Sequence, residues 1–117
     1  MEERIKILSE ADIQYINQTY SYIEKMLVEL NKAVLGYHCK FETRYGWRQN
    51  LAKLNDREGI SNQQIISDDL YKLIYNWFDT SYTAGQTVTL TEWEKYCKNA
   101  GYIKQELRNL ANKVSAK

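Results

Sequence analysis

The residues whose types could carry chemistry are few and scattered along the chain. His38, the sole histidine, is followed directly by Cys39. An imidazole and a thiol are the parts of a nucleophile with its base, or of a metal site, but adjacent side chains point apart in a strand and about 100° apart in a helix. The pair therefore suits neither task, and a partly exposed structural histidine is the expected role. Asp68, Asp69 and Asp79 could surround a cation, yet two acids in a first helical turn are explained by the helix dipole alone. Gly36, Gly46, Gly59, Gly85 and Gly101 stand singly, so neither a P-loop nor a dinucleotide fingerprint can be assembled. The expectation is a non-enzyme with no cofactor and no metal site.

Two surfaces offer binding chemistry instead. On the far side of the first helix, Tyr15, Thr19, Tyr22 and Met26 form a stripe beside its apolar seam. Tyr and Met favour protein interfaces because they present large contact areas with few polar groups to desolvate. The second surface lies near the C-terminus, where Cys97 supplies a small residue and Gly101, four positions on, a turn glycine. Tyr96, Ala100, Tyr102, Leu107 and Leu110 fill the buried positions of a helix-turn-helix pattern. The outer face of its second helix carries Lys104, Gln105, Arg108, Asn109, Asn112 and Lys113, side chains able to reach base edges and phosphates. Against this stand the lack of a capping residue for that helix, the presence of Glu106 within it, and the commonness of plain helical hairpins.

The elements that must position these residues are mostly helices. Ile13, Ile16, Tyr20, Ile23, Leu27, Leu30 and Val34 alternate steps of three and four without a miss, a heptad seam. Ser9 as N-cap, Asp12 three residues later and Gly36 at the C-terminal end bound one long helix over 9–35. At 1.5 Å per residue it is ~40 Å long, enough to overhang a small core or to pair two copies of the chain. The segment from Tyr37 to Tyr45 reads as helix through Tyr37, Phe41, Tyr45 and Leu51, but its apolar and polar residues also alternate as in a strand. Its only mate would then be the Thr-rich stretch around Val88 and Leu90. Ser67 caps a further helix with Leu70, Leu73, Ile74, Trp77 and Phe78 inward. Thr91 with Glu94 forms a capping box for the next, which Ala100 and Gly101 interrupt. Trp47, Trp77 and Trp93 lie in no basic run and are expected to be packing residues.

The fold class expected is mainly α: a single helical domain over 1–117, a small bundle with one long N-terminal amphipathic helix and a C-terminal helix-turn-helix-like pair. The alternative is α+β, with a two-stranded sheet from 37–45 and 86–91. Length and the 44% hydrophobic content suit one core. No apolar run approaches the ~20 residues of a membrane span, and the first ten residues are acidic and mixed, unlike a secretion signal. A cytoplasmic protein is expected, its two cysteines reduced. The formal charge of +1 argues against a basic nucleic-acid coat, although residues 91–117 carry six Lys or Arg against three Asp or Glu. Absent proline with abundant Lys, Ile, Asn and Tyr fits AT-rich codons and a phage or bacterial gene. The functional expectation is a small inhibitor, adaptor or subunit that binds another protein. The alternative is a helix-turn-helix DNA-binding regulator that dimerises through the long helix.

Overall fold

Ser9 and Asp12 fix where the first helix begins. In the computed structural model, which describes residues 4–35, 46–55 and 65–115, the Ser9 hydroxyl accepts the Asp12 backbone N–H at 3.2 Å, and the Asp12 carboxylate accepts the Ser9 backbone N–H at 2.8 Å. This reciprocal box satisfies two donors that a helix start leaves unpaired. It also holds the Asp12 carboxyl below the usual carboxylate range, the Ser9 backbone N–H being the largest cause. Helix α1 then runs over Glu10–Leu35.

Along α1 the seam faces the interior: Ile23, Leu27 and Leu30 are fully buried, and Ile13, Ile16 and Tyr20 are half-buried against the core. Val34 lies at the end of α1, where side chains fall outside the described part. Helix α2, Gly46–Asn55, packs on α1 through Trp47, Leu51 and Leu54. Between α1 and α2 lies a polar contact, in which buried Asn31 donates from Nδ2 to the carbonyls of Leu27 (2.8 Å) and Asn50 (3.0 Å). Among the described residues the Asn31 Oδ1 accepts no hydrogen bond, so this contact adds alignment of the two helices at a desolvation cost.

The junction from α2 to α3, Asp68–Asp79, is closed by local bonds. Leu54 accepts the N–H groups of Ile65 and Ile66, and Asn55 Nδ2 donates to the Ile66 carbonyl and to Asp68. Ser67 caps α3 as expected, accepting the Leu70 N–H at 3.2 Å. Leu70, Ile74, Trp77 and Phe78 are buried on one face. The helix stops at Thr80, whose extended backbone (ψ 129°) leaves its N–H and hydroxyl bonded to the Asn76 carbonyl.

Three sequence expectations are corrected here. A two-stranded sheet does form, and its strand β2, Thr87–Thr89, falls inside the expected 86–91, but its antiparallel mate β1 is Ile5–Ile7. Residues 37–45, with His38 and Cys39, lie outside the described residues. Gly85, at φ +86°, makes the turn before β2, with its N–H on the Leu8 carbonyl. Second, the cap of the last helix is Thr89 and not Thr91: the Leu90 N–H bonds the Arg4 carbonyl, and the Glu92 N–H bonds Thr89 Oγ1 at 3.1 Å. The chain passes straight from the ladder into the helix, so the end of the ladder sets the cap.

Third, the helix-turn-helix pair is one helix. α4 spans Leu90–Ser115 without interruption at Ala100 and Gly101. Its buried residues Trp93, Tyr96, Ala100, Ile103 and Leu107 step by three and four, a second heptad seam that crosses the glycine. Tyr102, expected inside, is about 100° off that seam and 53% exposed, while Ile103 takes the interior position. A Cβ at Gly101 would meet nothing within 4 Å. Gly101→Ala is accordingly expected to raise the unfolding free energy by about 0.5–1 kcal/mol. Urea titration would reveal it, and a loss of stability would mean that the chain turns there.

The assembled bundle measures 50 × 28 × 23 Å, with α1 packed on α4 and α2, and α3 on α2 and α4. The long axis accommodates α1 and α4, two helices of 26 residues each.

Candidate functional site

The two surfaces singled out from sequence meet each other. Thr19 is buried, and Tyr15, Tyr22 and Met26 are half-buried against the chain's own core. The cations that reach this stripe come from α4: Lys104 Nζ lies 5.8 Å from the Tyr15 ring centre, and the Arg108 guanidinium 6.0 Å from that of Tyr22. Arg108 also donates from Nη2 to the Tyr22 hydroxyl at 3.2 Å. Residues expected to bind a protein and residues expected to bind DNA thus share one intramolecular seam between α1 and α4. Of the remaining α4 candidates, Gln105 donates to Asn109 at 3.0 Å along the exposed face, and Asn112 and Lys113 are exposed.

Sequence reasoning anticipated β2 within 86–91 but missed its mate β1 and the ribbon the two form. The register pairs Ile5 with Thr89, Lys6 with Val88 and Ile7 with Thr87. Side chains alternate across a strand, and here the alternation is inside out. Lys6 turns inward, with Nζ 3.3 Å from the Asp12 carboxylate and 5.7 Å from the Trp93 ring centre, beside buried Val88. Ile5 and Ile7 turn outward, each 68% exposed. The Leu8 N–H bonds the Gln86 carbonyl and the Leu90 N–H bonds the Arg4 carbonyl. In an antiparallel ladder the bonded pairs alternate, which points the backbone N–H and C=O of Ile5 and Ile7 away from β2. One edge therefore presents two large apolar side chains together with strand donors and acceptors that have no partner among the described residues.

The second feature missed is an open cleft of about 270 Å³ where α1, α2, the end of α3 and α4 converge. Its walls include Tyr20 from α1, Trp47 from α2, Trp77 and Phe78 from α3, Tyr82 and Tyr96. These rings brace one another. Tyr20 meets Phe78 edge-on at 4.6 Å, Trp47 lies 4.5 Å from Phe78, and Trp77 stacks on Tyr96 at 4.7 Å. The Trp77 indole N–H donates to the Tyr96 carbonyl at 3.1 Å. At the rim, Arg48 Nη2 lies 3.3 Å from Asp79 Oδ1, with its guanidinium over the rings of Trp47 and Tyr75. The Tyr82 hydroxyl donates to Glu92 at 3.2 Å. Burial, reinforced by that carboxylate, pushes its pKa up to about 12. Burial likewise raises that of Tyr96. Both phenols stay protonated at neutral pH, Tyr82 as a donor to Glu92 and both as ring faces.

The acids weighed as a cation site are not brought together. Asp68 and Asp69 stand at the start of the 12-residue α3 and Asp79 at its end, ~15 Å apart at helical rise. Among the described residues no group of three or more His, Cys, Asp or Glu is placed to hold a metal ion. Cys97 is a free, half-buried thiol whose pKa is raised by burial, the opposite of an activated nucleophile. No helix among the described residues is long and apolar enough to cross a membrane. No protein-family model, curated protein or solved structure matches this chain.

Proposed function

We propose that this chain is a small non-catalytic binding protein that captures another protein by accepting one of its extended segments on the β1 edge. The observation that carries this reading is the outward pair Ile5 and Ile7, 68% exposed on a strand whose outer backbone groups face away from β2. Proteins ordinarily blunt such an edge with charge or a bulge, and here the charge within β1, Lys6, is turned toward Asp12. Strand addition would supply main-chain hydrogen bonds for affinity and would bury the two isoleucines, each worth about 1.5–3 kcal/mol when fully covered.

The earlier stripe of Tyr15, Thr19, Tyr22 and Met26 then serves to hold α1 against α4. The DNA-reading alternative draws no support from α4, whose continuous course has no turn and whose Lys104 and Arg108 sit on tyrosines of α1. Assignment to the cytoplasm, and to a phage or mobile element, belongs to the same proposal and rests on composition.

The test is a double variant, Ile5→Lys with Ile7→Lys, used as bait beside the parent chain. Both substitutions are at exposed sites, so stability should change by no more than about 0.5 kcal/mol per site. A protein captured by the parent should be lost from the variant, and in the complex the Ile5 and Ile7 amides should gain protection from hydrogen exchange. Retention of the same captured protein at full yield by the folded variant would end the proposal.

A further inference from the structure

We infer that the aromatic cleft is a receptor site for the guanidinium of an arginine carried by a peptide segment, stacked on the cleft's rings and bonded to Asp79. This inference does not depend on the β1 edge. It rests on the kind of charge that the cleft walls can accept. The rings of Tyr20, Trp47, Phe78 and Tyr82 line one cavity, and an aromatic face is electronegative, so it attracts a cation and repels an anion. The acid in the lining is Asp79 and the base is Arg48. Tyr82, a neutral phenol bonded to Glu92, adds no positive charge.

Arg48 already demonstrates the chemistry. Its guanidinium lies 5.3 Å from the Trp47 ring centre and 5.4 Å from that of Tyr75, and it bonds Asp79 Oδ1 at 3.3 Å. That bond engages one oxygen of the carboxylate; Asp79 Oδ2 has no hydrogen-bond partner among the described residues. A second guanidinium can therefore enter without first displacing Arg48. The Arg48–Asp79 pair is also solvent-exposed, with side-chain exposures of 47% and 60%. Exposed pairs of this kind are weak and exchange readily, so Arg48 can yield the carboxylate altogether. Arginine is favoured over lysine because its planar head stacks on rings and is less strongly hydrated. An open cleft of about 270 Å³ has room for such a side chain.

The experiment titrates the intact chain with the capped tripeptide acetyl-Gly-Arg-Gly-amide. Tryptophan fluorescence reports on Trp47 and Trp77, with indole N–H chemical shifts as a second readout. The expected result is saturable binding in the low millimolar range. Replacing arginine by citrulline, which keeps the shape and removes the charge, should weaken binding about five- to tenfold, and lysine should fall between. Asp79→Asn should weaken the arginine peptide by about the same factor, whereas Arg48→Ala should tighten it. Circular dichroism of both variants checks that they fold. Equal binding of the citrulline peptide, unchanged affinity in folded Asp79→Asn, preference for an acidic tripeptide, or no saturation at about 10 mM would each overturn the inference. Ile5→Lys with Ile7→Lys should leave this titration unchanged, so failure here and failure of strand capture are separately readable.

Discussion

Trp77→Ala is expected to lower the unfolding free energy by about 3–5 kcal/mol. Trp77 is 4% exposed, stacks on Tyr96 with 13° between the ring planes, and meets Phe78 edge-on at 5.8 Å. Its removal leaves α3 without its main purchase on α4 and opens the back of the cleft to water. The indole hydrogen bond is a smaller part of this loss. Its acceptor, the Tyr96 carbonyl, lies inside α4 and remains bonded along the helix, so no buried group is orphaned when the indole goes. Trp77→Phe, which keeps a ring and deletes the N–H, should therefore cost less, about 1–2 kcal/mol. Urea titrations of the three chains measure both differences. A loss under about 1 kcal/mol for the alanine variant would mean that α3 and α4 are held together elsewhere.

The elements legible in the sequence are those whose signals are local. Ser9 with Asp12 and Ser67 with Leu70 act across three residues, and the structure places both caps where the residue types put them. The α1 seam is equally local, since steps of three and four bring neighbours on one helix face together. The β1–β2 pair has no such signature. It joins Ile5 to Thr89, far apart in sequence, and each strand is three residues long. Its alternation is also reversed, with Lys6 inward, so a pattern that assigns isoleucine to the interior points the wrong way.

The turn expected at Gly101 fails for a related reason. Glycine inside a helix costs about 1 kcal/mol, and the buried row Trp93, Tyr96, Ala100, Ile103 and Leu107 outweighs it. That row was available in the sequence once the glycine was not taken as a boundary. The cleft lay beyond reach in another way, because Tyr20, Trp47 and Trp77 come from three different helices. Nor could sequence indicate that Lys104 and Arg108 would settle on Tyr15 and Tyr22, since that contact depends on how α1 and α4 pack.

Leu27→Ala tests whether the α1 seam belongs to one chain or to two. The long helix was expected as a possible surface for pairing two copies, yet Leu27 is fully buried, with Ile23 and Leu30 beside it on the same face. Truncation at such a site removes a buried side chain and leaves a cavity that the neighbours only partly fill. A loss of about 3–4 kcal/mol is expected. If the seam is internal, the urea midpoint of both the parent and the variant is the same at every protein concentration, and the m-value is unchanged because the surface exposed on unfolding is nearly the same. A seam shared between two copies gives a different result: dimer stability follows mass action, so the midpoint rises with concentration. Pairing through the β1 edge would also add a concentration term, but Ile5→Lys with Ile7→Lys would abolish it while leaving the effect of Leu27→Ala intact. The combined measurement thus separates the residues that hold the bundle together from those left facing outward on the ribbon.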